Sequence, residues 1–304
     1  MSATTVAGRT PAVRRRSGFS DSALARIFLS PSVLVMALVA AFPIIYAVIL
    51  SLYLYQGRLR EGFGGLENYA EALTEPRFWD AVQATMIFTV TSVAAEFAIG
   101  LGFALIMRQT FKGRGVTRAA ILVPWVIPTV IAAQLWYFMF SVTPGFVNDV
   151  LGLERFNWLG QPGWAMFSIV FADVWKTAPF VALLLLAGLQ TIPDEMYESA
   201  RVDGASMWQR FWYITMPLLK PAILVALLFR TVDALRMFDL AQVMTGGSFK
   251  TEPLSMLVQR FVVETPNPGL GSTFSTLTFI LVLVIGVLFV RALGRDFVLS
   301  TGGE

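Results

Sequence analysis

Six separate stretches of this chain are each long and apolar enough to cross a lipid bilayer, near 27–52, 82–107, 118–140, 165–189, 217–240 and 273–294. A helix needs roughly 20 apolar residues to traverse the hydrocarbon core. Backbone polar groups find no water there, so each stretch must satisfy its own hydrogen bonds as a helix. Composition agrees: 56% of the 304 residues are hydrophobic and 14% are charged, against roughly 25% charged in a soluble domain. The expectation is an all-α integral membrane protein with six transmembrane helices.

Cysteine and histidine are both absent. That excludes disulfides, thiolate nucleophiles, imidazole bases and the usual zinc ligands, and no metal site is expected. The first apolar run is too long for a signal-peptide core and no small-residue cleavage site follows it, so it reads as a retained anchor. Ahead of it, Arg9, Arg14, Arg15, Arg16 and Arg26 make residues 1–26 a basic arm, suited to anionic lipid on the cytoplasmic face rather than to nucleic acid. Arg108, Lys112, Arg114 and Arg118 crowd the second connection, and Arg291 and Arg295 follow the last span. This distribution places both termini and the even-numbered loops in the cytoplasm. Residues 27–295 then form the membrane domain and 296–304 a cytoplasmic tail. The connections near 56–80, 141–164 and 241–272 read as short, ordered surface loops. Pro43, Pro124, Pro128, Pro179 and Pro221 fall inside spans, where each removes a donor and kinks the helix.

The longest cytoplasmic connection, 191–215, reads as two short helices around a glycine. Thr191 and Asp194 have capping-box spacing, with Pro193 suited to a first turn and Asp194 and Glu195 complementing the helix dipole. Gly204 is placed to take the left-handed conformation that ends the first helix. Ser206 and Gln209 form a second capping box, and Thr215 can cap the next span with Pro217 in its opening turn.

The run Glu198-Ser199-Ala200, then Asp203-Gly204-Ala205, then Ile214-Thr215-Met216-Pro217-Leu218-Leu219-Lys220-Pro221 resembles the EAA loop of ABC importer permeases. The spacing matches throughout; Ser199 stands for alanine and Met216 for leucine. With the six-span layout the resemblance covers most of the chain. It is closest to the sugar branch, the maltose-, glycerol-3-phosphate- and trehalose-type permeases, and especially to those of mycobacterial trehalose import. The Thr245-Gly246-Gly247-Ser248 segment is similar to a T-x-G-G-P segment of that branch. The resemblance implies a cytoplasmic coupling helix between the fourth and fifth spans, carrying Glu198, Ser199, Ala200, Asp203, Gly204, Ala205 and Pro217, that docks on an ATPase. It also implies a second homologous permease in a heterodimer, two cytosolic ATPase subunits and an extracytoplasmic substrate-binding protein. No G-x-x-x-x-G-K-[ST] run occurs, so no phosphate-cradling loop is present. This chain is therefore expected to bind no cofactor and to be a transport subunit rather than an enzyme, with ATP and magnesium used by the partner.

Charges within spans cost ~2.5–3.5 kcal/mol each, which marks them as functional candidates. The fourth span holds Asp173, Trp175 and Lys176; the fifth holds Arg230, Asp233 and Arg236, with Asp239 near its end. Asp173 with Lys176, and Asp233 with Arg236, have the i,i+3 spacing of pairs on one helix face. Sugars are held by planar hydrogen-bonding groups and aromatic faces, which Gln134, Trp136, Tyr137, Trp175 and Phe238 also supply. The resemblance favours the spans on either side of the coupling loop as the sugar path. The other reading, that these pairs staple helix to helix, stays open at this level. Glu96 has no partner near in sequence and is expected to bond across to another helix. An ion-coupled secondary transporter could use Glu96 and Asp173, and a membrane glycosyltransferase could use loop carboxylates such as Glu61, Glu67, Glu71 and Glu75. Both leave the coupling-loop match without a cause.

Overall fold

The structure, a computed structural model, describes residues 21–143 and 145–301. Arg9, Arg14, Arg15 and Arg16 of the basic arm, and residues 302–304 of the tail, lie outside the described residues. The chain divides into two units, Met1–Tyr46 and Ala47–Glu304.

The first unit is helical throughout its described part. Helix α1 (Asp21–Met36) passes through a π-helical turn, Ala37–Ala41, into α2 (Phe42–Ser51), which crosses the boundary between the units. Its large apolar side chains are exposed, Met36 at 69% and Val39 at 71% among them, as suits a surface whose solvent is lipid.

The second unit opens with a hairpin absent from the all-α expectation: β1 (Tyr53–Gln56) pairs antiparallel with β2 (Leu59–Phe63). The two-residue connection works because Gly57 adopts a φ of +62°, which a glycine accepts without strain. Helix α3 (Glu67–Thr74) follows, and its Asn68 amide donates to the carbonyls of Ser51 at 2.8 Å and Tyr53 at 2.9 Å. Helix α4 (Pro76–Arg108) starts at Glu75, whose carboxylate accepts from the Arg77 amide, with Pro76 in the first turn. Then come α5 (Arg114–Val126), α6 (Thr129–Phe140), α7 (Phe146–Leu151) and α8 (Trp164–Gln190). The connection after α8 forms α9 (Asp194–Val202) and α10 (Met207–Arg210), and a π-helical turn at Phe211–Thr215 leads into α11 (Met216–Ala234). Short α12 (Asp239–Met244) and α13 (Leu254–Gln259), a π-helical turn at Arg260–Glu264 and α14 (Pro268–Thr301) complete the described chain.

Among the described residues five helical stretches are long and apolar enough to cross a membrane: Ala23–Ser51, Pro76–Arg108, Trp164–Gln190, Met207–Ala234 and Pro268–Ala292. The expected span 118–140 is instead two helices, α5 and α6, bent by 93° at Ile127–Pro128. The cause is local. Ile127 precedes a proline, is pushed out of the helical region and adopts a ψ of 130°.

Helices α4 and α8 pack along their lengths, with Gly100 of α4 against α8; a Cβ there would lie 2.8 Å from Val181 Cβ and 3.0 Å from the Ala178 carbonyl oxygen. Close backbone approach over small residues is the normal means of helix association in membranes. Gly188 of α8 does the same for α11, against Ala222 and Leu219. One buried cluster gathers Met107, Leu185, Leu189 and Leu219 beside these contacts. A second gathers aromatics around Trp136, Phe140 and Trp158, and a third joins Phe78 to Leu257 and Phe274. Glu252, just ahead of α13, clamps Arg77 of α4 at 2.7 Å and Arg260 at 2.9 Å.

Candidate functional site

Where α4, α8 and α11 meet, the structure assembles an ionic centre around Arg230. Its guanidinium grips Glu96 with two nitrogens, Nε to Oε2 and Nη2 to Oε1, the second at 2.7 Å. Nη2 also donates to Asp173 Oδ2 at 3.0 Å, and Nη1 donates to Asp233 Oδ2. Four of its five N–H donors therefore meet carboxylates. The Thr177 hydroxyl, 2.7 Å from Glu96 Oε1 and 2.6 Å from the Asp173 carbonyl, completes the shell. The Arg230 side chain is 3% exposed and Glu96 is fully buried, whereas Asp233 is 74% exposed.

These contacts correct the expected pairings. Among the described residues no ion pair joins Asp173 to Lys176 or Asp233 to Arg236; both carboxylates turn to Arg230. The reason is the cost of burying a guanidinium. Its planar fork needs several carboxylate oxygens in fixed positions, a demand stronger than that of a flexible, better-solvated ammonium. Arg236 lies beyond the end of α11 at Ala234, so the regular helical spacing from Asp233 no longer holds there. Glu96 does bond across to another helix, through Arg230.

Beside the centre is a cavity of about 150 Å³ lined by Asp173, Lys176, Arg230, Asp233, Arg236 and Phe238. Of the aromatic and amide candidates only Phe238 reaches it. Trp136 is buried in the core, its ring 4.9 Å from Phe171, 5.4 Å from Trp175 and 5.5 Å from Phe140. Gln134 and Tyr137 are exposed on α6 and do not line the cavity. Trp175 lines a different, apolar cavity of about 630 Å³ between α4, α5 and α8. The chemistry of the small cavity is hydrogen bonding. Asp173 and Asp233 line it beside Arg230, with Glu96 buried behind, and Lys176 and Arg236 bring the local charge towards balance. Sequence reasoning missed Arg230 as the hub, although Glu96 and Arg230 are charges of opposite sign, each deep in its own apolar run.

Residues 191–215, the expected coupling segment, fold as two helices around a glycine. Gly204 takes a φ of +80°, the Ala205 amide reaches back to the Ala200 carbonyl at 2.8 Å and the Gly204 amide to that of Arg201 at 3.1 Å. This is the paired 6→1 and 5→2 bonding that ends a helix on a left-handed residue. The Ser206–Gln209 capping box is formed, at 2.8 and 3.2 Å. Two expected caps are not. Thr191 donates back to the Gly188 carbonyl at 2.8 Å, leaving Pro193 as the residue ahead of α9. Thr215 is helical and sits 3.0 Å from the Tyr197 hydroxyl, because the helix continues unbroken from Met207 to Ala234. Glu198, Ser199, Asp203, Gly204 and Pro217 are exposed, while Ala200 and Ala205 are half-buried.

Residues 96–298 match the family described as binding-protein-dependent transport system inner membrane component. The trehalose/maltose transport system permease protein MalF of Thermococcus litoralis is 47% identical over 75% of this chain and 79% of its own length. The trehalose transport system permease protein SugA of Mycobacterium tuberculosis is 40% identical over 96% of this chain and 94% of its own. Among solved structures, a chain of a bacterial ABC transporter involved in import of the acidic polysaccharide alginate superposes with a TM-score of 0.78 at 24% identity, covering 90% of this chain and 96% of that one. At that identity the likeness speaks for the fold alone.

Proposed function

This chain belongs to the family of binding-protein-dependent transport system inner membrane components, and from that premise we propose that it carries a sugar, with trehalose favoured, into the cytoplasm. It is a membrane transport subunit and not an enzyme. Family membership sets aside both the ion-coupled secondary transporter and the glycosyltransferase. The observation that carries the sugar reading is the near full-length likeness to a permease named for trehalose transport. The cavity beside Arg230 supports it, since its exposed carboxylate and cations suit a polyhydroxyl ligand.

In this reading the bent α5–α6 pair counts as one crossing, so the chain spans the membrane six times with both termini and residues 191–216 in the cytoplasm. Helix α9 is the coupling helix. Glu198, Ser199, Ala200, Asp203, Gly204 and Ala205 form its docking end, and Pro217 sets where α11 departs. Two ATPase subunits bind there in trans and use ATP and magnesium. A second, homologous permease completes the pore, and a substrate-binding protein delivers sugar from the opposite side. At this cavity, whose volume of about 150 Å³ takes only part of a disaccharide, Lys176, Asp233, Arg236 and Phe238 contact one ring of the sugar, while Asp173 is held by Arg230.

Uptake of radiolabelled trehalose, measured in a strain lacking this chain, tests the reading. Uptake is expected to vanish and to return with the wild-type gene. Lys176→Met should lower it by roughly tenfold, the value of one charge-assisted hydrogen bond, at unchanged complex yield. Unaltered trehalose uptake in the deletion strain, with loss of a different solute, would assign another substrate.

A further inference from the structure

Between the end of α4 and the α9–α10 turn lies a third cavity, of about 780 Å³. It sits where one membrane-crossing helix ends, at Arg108, and another begins, at Met207. In the reading above, that places it on the cytoplasmic side, at the edge of the bilayer. Its wall carries three cations, Arg108, Arg201 and Arg210, against a single carboxylate, Asp194.

The cations are not equally engaged. Arg108 donates to Asp194 at 3.0 Å and lies 4.4 Å over the Tyr197 ring. Arg201 gives only its Nε, to the Tyr197 carbonyl at 3.3 Å, so its two terminal nitrogens remain. Among the described residues neither Arg201 nor Arg210 has an ion pair; Arg201 is exposed and Arg210 half-buried. Asp194 is 87% exposed and neutralises little. A half-buried guanidinium facing a cationic wall calls for an anion, and a phosphate fits the planar fork with two parallel hydrogen bonds.

The rest of the wall identifies which phosphate. Tyr197, Trp208 and Phe211 line it, with Trp208 and Phe211 stacked at 5.8 Å. Aromatic rings of this kind settle at the head-group level of a bilayer, and basic pockets between helix ends on the cytoplasmic side take anionic head groups. Met207 and Trp208, exposed at 78% and 69%, supply apolar surface on which an acyl chain can lie. We propose that this cavity binds the head-group phosphate of an anionic phospholipid through Arg201 and Arg210, with the chains along the Trp208–Phe211 surface. The lipid would then brace the base of the coupling helix. The proposal rests on the reading above only in placing this end at the cytoplasmic leaflet.

The test is native mass spectrometry of the full-length chain purified with its partner subunits. Complexes are titrated with phosphatidylglycerol, phosphatidylcholine or inorganic phosphate. Wild type should retain phosphatidylglycerol over phosphatidylcholine by roughly tenfold or more and show no comparable affinity for inorganic phosphate. Arg201→Gln with Arg210→Gln should abolish that preference while the ATPase subunits stay bound. Arg201→Lys with Arg210→Lys, which keeps the charge and loses the fork, should fall between and remains informative if the glutamine pair fails to assemble. Equal retention of phosphatidylglycerol by wild type and both variants overturns the proposal. So does tight binding of inorganic phosphate, which makes this a soluble-phosphate site. Loss of the ATPase with the lipid preference intact would mean that the arginines belong to subunit docking. None of these outcomes bears on trehalose uptake, and binding in detergent does not depend on which way the chain faces.

Discussion

At the scale of single residues, Arg230 decides how three helices meet. Glu96, Asp173 and Arg230 share one buried network, and removing one member of such a group typically costs ~3–5 kcal/mol because the others stay buried without a counter-charge. Arg230→Met therefore strands two carboxylates and should lower the melting temperature in detergent sharply, with loss of assembled complex. The triple change Glu96→Gln, Asp173→Asn, Arg230→Met leaves no buried charge and should recover most of that loss. Asp233→Asn, at a side chain 74% exposed, should shift stability by less than about 1 kcal/mol. An Arg230→Met variant that melts like wild type would remove the network from the stability of the fold. The presence of charge at 96, 173, 230 and 233 was legible in the sequence because charge in an apolar run is conspicuous. The pairing was not, since i,i+3 spacing says which side chains can touch on one helix and nothing about which neighbouring helix arrives.

Among the elements, the three π-helical turns share a rule. They end at Ala41, Thr215 and Glu264, each two residues before a proline: Pro43, Pro217 and Pro266. A proline ring collides with the carbonyl four residues back and cannot donate to it. At Pro43 and Pro217, where the helix continues, widening the preceding turn to i→i+5 bonding moves that carbonyl aside, as where the Met216 amide bonds the Phe211 carbonyl; at Pro266 the helix has already ended at Glu264. At Pro217 the widened turn joins α10 to α11, so it sets the angular position of the coupling segment relative to the membrane helix. Pro217→Ala restores the missing donor and should let the turn tighten to α-helix, rotating α10 and reducing sugar transported per ATP hydrolysed in proteoliposomes. Glu198→Lys, on the exposed face of α9, should reduce the same ratio by weakening ATPase attachment, without altering the helix. Unchanged coupling in both variants would detach this segment from the ATPase.

For the whole molecule, the direction of insertion follows from charge. Cationic side chains at 108, 112, 114 and 118, and again at 291, predict that these segments stay on the cytoplasmic side. The absence of native cysteine allows single-cysteine labelling without background. Gln209→Cys should resist an impermeant thiol reagent in intact cells and react after permeabilisation, whereas Glu154→Cys, at an exposed position of the α7–α8 connection, should react from outside. The reverse pattern would invert the orientation. Within this architecture the sequence alone determined the approximate limits of the five long apolar helices and the helix–glycine–helix form of residues 194–210. Both are local: bilayer thickness sets run length, and capping and left-handed glycine act over a few residues. The tertiary structure alone decided that Arg230 is the common partner of Glu96, Asp173 and Asp233, and that Trp136 packs inside while Phe238 reaches the cavity. It also decided that the third run breaks at Ile127–Pro128 by 93°. A proline announces a bend without its angle, and a buried charge announces a partner without its address; both are settled by the helices that pack around them.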